Sequence, residues 1–350
     1  MKAAVMEQLK EPLVVRNVED PTIDDNGAIV RVKANGICRS DWHAWMGDLS
    51  WIGLTLEMPW VMGHEFTGVV EEVGKNIKNF KKGDRVIIPF SQGDGTCEQC
   101  LSGHHNICDN LVMPGFAYWG GYGEYSAIPN ADLNMVKLPD EVGFEEGASV
   151  GCRFMTSFHA VTEQANVKPG EWVAVYGQGG IGLAATHIAN AAGANVIAID
   201  IGQDKLDFAK KVGAAVTINS KDTNASEAVQ EITKGGAHVS IDALGIQETI
   251  LNSVLSLRKR GRHIQIGLTS SDQQGMTALP TDVITAKELQ FIGSFGMQAP
   301  NYPSMLQMIG AGKLDPGQLV TNRVSIEEAS GIIEGMGDYN TLGVTVVNKW

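Results

Sequence analysis

The sequence lacks long hydrophobic runs. Nowhere do about 18 consecutive apolar residues occur, so no transmembrane helix is predicted. Near the start, Glu7 stands where a signal peptide would need its apolar core, and we therefore expect a cytoplasmic location. An internal repeat and a low-complexity tract are also absent from the sequence. These absences argue against membrane, fibrous and disordered classes and indicate a globular chain.

Basic residues are few compared with acidic ones. Lys and Arg number 27 against 40 Asp and Glu, which gives a formal net charge of −13 at pH 7. A surface of that sign repels phosphate backbones and argues against a nucleic-acid partner. Binding of a single dinucleotide is still compatible with this charge, because a helix N-terminus supplies local positive potential.

Cysteine is scarce, and the five cysteines are an odd number. In a chain without a secretion signal they argue against a disulfide framework. Three of them, Cys97, Cys100 and Cys108, lie within twelve residues, a spacing typical of a metal site. The alternative is that the thiols are scattered, buried core residues.

The length of 350 residues exceeds the ~250–300 residues at which single hydrophobic cores stop growing, so two domains are expected. Roughly the first 150 residues contain short β-like runs separated by glycine and turn dipeptides. Examples of these runs are residues 28–32, 68–73 and 85–88. This part is therefore predicted to form a compact β-rich unit.

From about Glu171 the pattern changes to alternating strands and helices. The apolar run 172–176 is followed by glycines, a helical stretch over 181–192 and a second apolar run over 195–199. This order predicts a βαβ unit with parallel strands. Further strand-like runs follow at 215–218, 239–242 and 262–266. We expect a doubly wound parallel sheet, and an α/β fold for the whole chain.

These patterns predict the domain limits. We expect a catalytic domain over residues 1–152 and a nucleotide-binding domain over 153–290. The tail, residues 291–350, ends in the strand-like run 343–347 and is expected to return to the first domain.

Residues 177–182, with the sequence GQGGIG, match the pattern G-x-G-x-x-G between a strand and a helix. Gly177 permits the tight turn, Gly179 lets the backbone approach a pyrophosphate, and Gly182 permits close packing of helix on strand. Gly180 and Ile181 complete the loop. The pattern alone is weak in a chain with 41 glycines, but its position between strand and helix makes it informative.

Asp200 ends the second strand-like run, close to 20 residues after the glycines. A carboxylate there accepts hydrogen bonds from ribose hydroxyls and repels a 2′-phosphate, and no arginine follows in 201–203. These features favour NAD over NADP. The alternatives are a doubly wound domain that binds another ligand, and Asp200 as a turn residue.

A second constellation consists of Cys38, His64 and Cys152. A histidine by itself is usually structural. Two thiolates and one imidazole, however, are a three-ligand zinc set that leaves a fourth position open for substrate.

Taken together, these motifs resemble the zinc-dependent medium-chain alcohol dehydrogenases over essentially the whole chain. The landmarks, in order, are CRSDWH at 38–43, GHE at 63–65, the cysteine-rich lobe at 94–108, Cys152, GQGGIG at 177–182 and Asp200. The resemblance implies a GroES-like catalytic domain joined to a Rossmann cofactor domain.

The resemblance also implies a role for individual residues. Cys38, His64 and Cys152 would bind the catalytic zinc, with Glu65 beside the metal and Asp41 orienting His64. Ser40 and His43 match the proton relay of the family. The cofactor contacts that it implies are Arg39 on the pyrophosphate, Thr156 and Ile181 behind the nicotinamide, and Lys205 near the adenosine ribose.

The implied reaction transfers a hydride from a primary or secondary alcohol to NAD and gives an aldehyde or ketone. In it, zinc acts as a Lewis acid on the alcohol, and the proton leaves through Ser40 and the cofactor ribose to His43. The cofactors expected are therefore zinc and NAD. From relatives of this length we expect a homotetramer.

The cysteine-rich lobe departs from the family pattern C-x2-C-x2-C-x7-C, because Asp94 occupies its first position. A carboxylate oxygen ligates zinc at ~2.0–2.2 Å, so we expect a structural zinc held by Asp94, Cys97, Cys100 and Cys108. The alternative is a lobe that has lost its metal. The last strand also lacks an arginine that many relatives use on the pyrophosphate, which leaves that contact to Arg39.

Two other functions are weighed against this one. Polyol dehydrogenases of the same superfamily usually carry a carboxylate in place of the cysteine near the domain junction, and Cys152 argues against them. An inactive NAD-binding descendant should have lost a ligand or relay residue, yet the full set is present. The alcohol itself stays open, since the tryptophans near the motifs serve either as a pocket lining or as packing. They are Trp42, Trp45, Trp51 and Trp60.

Overall fold

The computed structural model describes residues 1–50, 53–269, 273–339 and 341–350. Contacts divide the chain into two units, the first made of Met1–Met155 with Gly296–Trp350 and the second of Thr156–Phe295. Every helix within the described residues is too short or too polar to cross a membrane.

The strands of the described residues are, in chain order, β1 (Lys2–Val5), β2 (Val14–Asn17), β3 (Ala28–Ile37), β4 (Phe66–Val73), β5 (Arg85–Ile88), β6 (Tyr125–Ile128), β7 (Val136–Lys137), β8 (Trp172–Tyr176), β9 (Asn195–Asp200), β10 (Val216–Asn219), β11 (Ala237–Asp242), β12 (Leu257–Gln265), β13 (Gln290–Gly293), β14 (Val320–Ser325) and β15 (Val344–Lys349).

The α-helices of the same residues are α1 (Arg39–Met46), α2 (Glu98–Leu101), α3 (Ala131–Asn134), α4 (Phe144–Ala148), α5 (Met155–Phe158), α6 (Gly180–Ala191), α7 (Gln203–Lys211), α8 (Ala225–Thr233), α9 (Gln247–Leu255), α10 (Thr281–Lys287), α11 (Tyr302–Gly310) and α12 (Ala329–Gly335). Two π-helical turns cover Val150–Phe154 and His159–Gln164. Short 3-10 turns cover His105–Ile107, Ala299–Asn301, Pro316–Leu319, Ile326–Glu328 and Met336–Asp338.

The first unit is built around a seven-stranded sheet with the order β14-β15-β3-β4-β5-β7, in which β6 also pairs with β3. β3 begins with alternating burial because one of its faces packs on a core that includes Val30 and Val32. From Ala34 onward its residues are all buried. The sheet therefore carries the end of β3, where Cys38 follows, into the interior of the unit.

The C-terminal residues complete this sheet. β15 pairs antiparallel with β3, through Thr345 opposite Ile37, and parallel with β14. The end of the chain thus supports the strand that leads to Cys38.

Within its described residues, the second unit contains a six-stranded sheet in the order β10-β9-β8-β11-β12-β13, and all of these strands are parallel. The doubly wound fold is confirmed. β8 lies at the centre, and the chain first winds outward through β9 and then returns to β11 on the other side. The carboxyl end of β8 is therefore the switch point, where open parallel sheets bind their ligands.

The expected domain limit at residue 290 falls inside β13. Residues 290–293 pair with β12, through Phe291 opposite His263, and this pairing keeps them in the second unit. The second compact unit ends at Phe295, and the chain returns to the first unit at Gly296.

Candidate functional site

The junction between β3 and α1 fixes the first candidate ligand, Cys38. Asp41, at the third position of α1, accepts a hydrogen bond from the Cys38 backbone N–H through Oδ2 at 2.9 Å. This bond caps the helix start. Gly47 ends the helix in the left-handed conformation at φ 75°. Cys38 is therefore held between a strand end and a capped helix.

The other oxygen of Asp41 orients His64. Oδ1 lies 2.9 Å from His64 Nδ1, and both side chains are fully buried. A hydrogen bond at Nδ1 leaves Nε2 as the acceptor nitrogen of the neutral ring, and Nε2 has no hydrogen-bond partner within the described residues. Tyr122, which the sequence did not indicate, donates its hydroxyl to Asp41 Oδ2 at 3.1 Å.

Cys152 lies in the π-helical turn Val150–Phe154 and is also buried. The ligand atoms of Cys38, His64 and Cys152 all lie within 4.8 Å of one another. The Cys152 thiol donates to the Cys38 sulfur, which lowers the pKa of Cys38 well below its ordinary value. Two close thiols and a buried imidazole nitrogen without a partner fit a zinc ion, and three protein ligands leave one position open.

Glu65 follows His64 in sequence and is fully buried, and its expected place beside the metal stays a prediction. It forms a buried ion pair with the Arg153 guanidinium, and the Arg153 backbone N–H donates to Glu65 Oε1 at 3.2 Å. A Cβ at Gly36 would lie 2.6 Å from Glu65 Oε2, so a glycine is needed to make room for the pair. The Arg153 contact could not be predicted from the sequence, because it depends on how two distant segments pack.

Ser40 and His43 lie one turn apart on α1, so they occupy the same side of the helix. Ser40 Oγ is 3.9 Å from Cys38 Sγ, which places the hydroxyl beside the metal ligands. His43 Nδ1 lies 3.1 Å from Asp48 Oδ2. Burial lowers the pKa of His43 below its ordinary value, and the hydrogen bond with Asp48 opposes that shift.

Arg39 is held within the first unit by three contacts. Its guanidinium lies 4.4 Å from the centre of the Trp42 ring and 3.9 Å from that of Tyr339, between the two aromatic side chains. Arg39 Nη1 donates to the Met336 carbonyl at 2.6 Å. Its contact with a pyrophosphate stays a prediction.

Packing accounts for two of the tryptophans. Trp45 donates its indole N–H to the Glu11 carbonyl at 2.7 Å, and Trp60 donates to the Gly115 carbonyl at 2.8 Å. Both contribute to an apolar cluster of the first unit. Trp51 lies outside the described residues. The aromatic neighbours of the His64 ring are instead Phe90 and Phe116, with ring centres 6.1 and 5.4 Å away.

Asp94, Cys97, Cys100 and Cys108 form the second cluster, and their ligand atoms also lie within 4.8 Å of one another. Cys97 Sγ and Cys108 Sγ are 3.7 Å apart, and Asp94 Oδ1 lies 3.5 Å from Cys108 Sγ. Tetrahedral bonds of ~2.3 Å to sulfur and ~2.1 Å to oxygen give edges of ~3.8 and ~3.6 Å. The donor set and its spacing therefore fit a zinc ion.

The two histidines of this lobe do not join the cluster. His104 is exposed, and His105 begins the following 3-10 turn. The ligand group of the lobe contains Asp94 and three cysteines but neither histidine.

The glycine-rich loop lies between β8 and α6 in the second unit, and Gly180 begins α6. Gly177 has a φ of 87°, which favours glycine. A Cβ at Gly182 would lie 1.7 Å from the Gly177 carbonyl oxygen, so the helix can approach the strand only with glycine there. A Cβ at Gly179 would meet no atom of the described residues within 4 Å, which leaves open space beside the loop there.

Asp200 lies at the end of β9, beside this loop. Its carboxylate accepts hydrogen bonds from Gln178 N at 2.6 Å and from Gly202 N at 2.9 Å. Lys205 lies on α7 with its side chain near Gly202. The loop, the acid and the lysine are thus brought together at the carboxyl edge of the sheet.

Thr156 and Ile181 also belong to the second unit. Thr156 is buried, and its neighbour Ser157 donates to the Ile181 carbonyl at 2.9 Å. This hydrogen bond connects the segment that contains Thr156 with Ile181, the other residue expected behind the nicotinamide.

Comparison with known proteins shows two matching families. Residues 24–140 match the alcohol dehydrogenase GroES-like domain, and residues 180–311 match the zinc-binding dehydrogenase family. The first match covers the β-rich part with both cysteine-bearing segments up to Cys108. The second begins in the glycine-rich loop.

Three relatives cover most of the chain. An alcohol dehydrogenase of Geobacillus stearothermophilus is 37% identical over 90% of this chain and 90% of its own length. An NAD-dependent alcohol dehydrogenase of Sulfurisphaera tokodaii is 30% identical over 99% of each chain. A probable D-xylulose reductase A of Arthroderma otae is 33% identical over 89% of this chain and 87% of its own.

A solved structure is similar over the full length of the chain. Alcohol dehydrogenase TADH from Thermus sp. ATN1 has a TM-score of 0.91 at 28% identity and covers 100% of both chains.

Proposed function

The chain belongs to the family of zinc-dependent medium-chain alcohol dehydrogenases, and from this we propose that it oxidises a primary or secondary alcohol to an aldehyde or ketone with NAD as the hydride acceptor. The observation that carries the proposal is the buried His64 Nε2, which has no hydrogen-bond partner in the described part of the chain and lies close to the thiols of Cys38 and Cys152. A buried nitrogen of this kind is costly unless a ligand binds it.

The residues of the site have separable tasks in this proposal. Zinc held by the two cysteines and His64 would supply Lewis-acid chemistry that makes an alcohol hydroxyl more acidic. Asp41 fixes the His64 tautomer and ring orientation. Ser40, beside Cys38, takes the hydroxyl proton, and His43 on the next turn of α1 passes it toward solvent.

The preference for NAD is supported by Asp200. Its carboxylate lies beside the glycine-rich loop, where it would accept hydrogen bonds from the ribose hydroxyls and repel a 2′-phosphate. The relative from Sulfurisphaera tokodaii, which is named an NAD-dependent enzyme, supports the same choice. Arg39, Thr156, Ile181 and Lys205 are proposed as further cofactor contacts.

A polyol substrate is the second candidate, since one relative is named a probable D-xylulose reductase. Cys152 in the ligand set argues for the simple alcohol, because it stands where polyol enzymes of the superfamily usually carry a carboxylate.

We further propose that the protein is a homotetramer located in the cytoplasm. Light scattering measures the oligomeric state, and cell fractionation measures the location.

The decisive experiment follows NADH absorbance with a panel of primary alcohols, secondary alcohols and polyols, with NAD and NADP side by side. We expect NAD reduction with a simple alcohol and its loss after a strong chelator or in the Cys38→Ser variant. The control is Ser102→Ala, which lies outside both ligand clusters and should leave turnover unchanged. Turnover that survives both the chelator and Cys38→Ser would overturn the proposal.

A further inference from the structure

The two carboxylate oxygens of Asp94 have different surroundings. Oδ2 accepts hydrogen bonds from Thr96 Oγ1 and from Asn110 Nδ2, each at 2.8 Å. Oδ1 accepts one from the Thr96 backbone N–H at 2.8 Å and lies 3.5 Å from Cys108 Sγ and 3.9 Å from Cys100 Sγ. Oδ1 is therefore the oxygen that lies near the sulfur atoms, and Oδ2 is the one that accepts the two side-chain donors.

We propose that Thr96 and Asn110 are positioning residues that make Asp94 a single-oxygen ligand of the metal in this lobe. A carboxylate oxygen has two lone pairs, and the two side-chain donors on Oδ2 occupy both. The free lone pair of Oδ1 is left for the metal. Unlike a thiolate, a carboxylate has a second oxygen that would compete for the ion, so it has to be held in one orientation.

Asn110 links this carboxylate to a sulfur ligand. Its backbone N–H donates to Cys108 Sγ at 3.3 Å, while its side chain donates to Asp94. Cys97 Sγ likewise accepts from the N–H groups of Cys100 at 3.4 Å and Asp109 at 3.5 Å. Three thiolates and a carboxylate exceed the charge of a divalent cation, and these donors offset the excess.

A local turn explains only part of this arrangement. An aspartate often bonds the backbone two residues later, so the Thr96 N–H contact needs no metal. Asn110 lies 16 residues from Asp94 in sequence, and its side chain reaches the carboxylate across the lobe. A local turn does not account for that contact, which holds the Asp94 carboxylate in one orientation.

The test measures zinc affinity by chelator competition on the full-length protein. Of the two zinc-binding events expected, the one that belongs to the cysteine-rich lobe is the event that disappears in Cys97→Ser. We expect Asn110→Ala to weaken that step about 10–100-fold, the effect usual for residues that hold a metal ligand. Ser102→Ala is the matched control, because Ser102 lies in the same lobe and its side-chain hydroxyl donates to the Gln99 carbonyl rather than to a ligand residue. It should leave the affinity unchanged.

A second background separates positioning from general stability of the lobe. In Asp94→Cys the carboxylate is gone, so Asn110→Ala should have no further effect on zinc affinity. An equal loss in both backgrounds, an unchanged affinity in Asn110→Ala, or a wild-type lobe that binds no zinc would each overturn the proposal. The alcohol oxidation proposed above depends on the other ligand set and is scored separately, so failure of one is distinguishable from failure of the other.

Discussion

Glu65 and Arg153 form a buried ion pair, and each of them is covalently next to a candidate zinc ligand, Glu65 after His64 and Arg153 after Cys152. Their side chains are 0% and 7% exposed. The pair therefore ties together two segments that are 88 residues apart. It therefore helps to set the spacing of His64 and Cys152, the two candidate ligands that adjoin the pair.

Removing the cation of this pair should be costly. We expect Arg153→Met to lower the free energy of unfolding by ~3–5 kcal/mol, because Glu65 is left buried without its partner. Urea denaturation at fixed zinc concentration measures the change. Arg323→Met is the control, because Arg323 pairs with Glu145 while 53% exposed, and its loss should cost at most ~1 kcal/mol. Equal effects of the two substitutions would contradict this account.

Asp41 should control zinc affinity through His64. The Asp41 carboxylate accepts hydrogen bonds from the His64 ring, the Cys38 backbone N–H and the Tyr122 hydroxyl. In Asp41→Asn the amide N–H₂ group is itself a donor, so at least one of these hydrogen bonds is lost. We expect zinc affinity of the three-ligand site to fall ~10–100-fold. Tyr122→Phe removes a single hydrogen bond and should have a smaller effect. The zinc retained by each variant after dialysis against a chelator measures the two effects. If Asp41→Asn retained as much zinc as the wild type, Asp41 would not control zinc affinity.

His43 should set the acid limb of the pH profile for alcohol oxidation. The neutral imidazole accepts the proton, so kcat/KM should fall as the pH drops through the His43 pKa, which burial places below ~6.5. Asp48 raises that pKa by hydrogen bonding to the ring. In Asp48→Asn the acid limb should therefore move to lower pH. His43→Gln should remove this limb, and a limb unmoved in both variants would exclude His43 from the relay.

Two glycines of the loop should respond differently to the same added methyl group. Gly182→Ala forces a Cβ against the Gly177 carbonyl, so both stability and NAD binding should fall. Gly179→Ala places its Cβ in open space and should change stability by less than ~1 kcal/mol. Its effect should appear as a raised Kd for NADH, measured by fluorescence titration, if the pyrophosphate occupies that space. Unchanged binding in Gly179→Ala would place the cofactor elsewhere.

Local pattern was sufficient for the elements around the cofactor loop. The strand predicted over 172–176 is β8, and the helix predicted over 181–192 is α6 displaced by one residue. The period of hydrophobic residues and the glycine cluster are properties of neighbouring positions, so they can be read without tertiary information. Asp94 was predicted in another way, from its place in the family's cysteine pattern, and its ligand atom does lie with those of Cys97, Cys100 and Cys108.

The amino-acid sequence specifies the chemical groups: two thiols and an imidazole, a second set with a carboxylate, and a glycine turn followed by an acid. The partner of each buried group depends on the packing of the folded chain. Tyr122 on Asp41, Arg153 on Glu65 and Asn110 on Asp94 join residues between 16 and 88 positions apart. Such contacts satisfy polar groups that packing has removed from water, and packing depends on the whole chain.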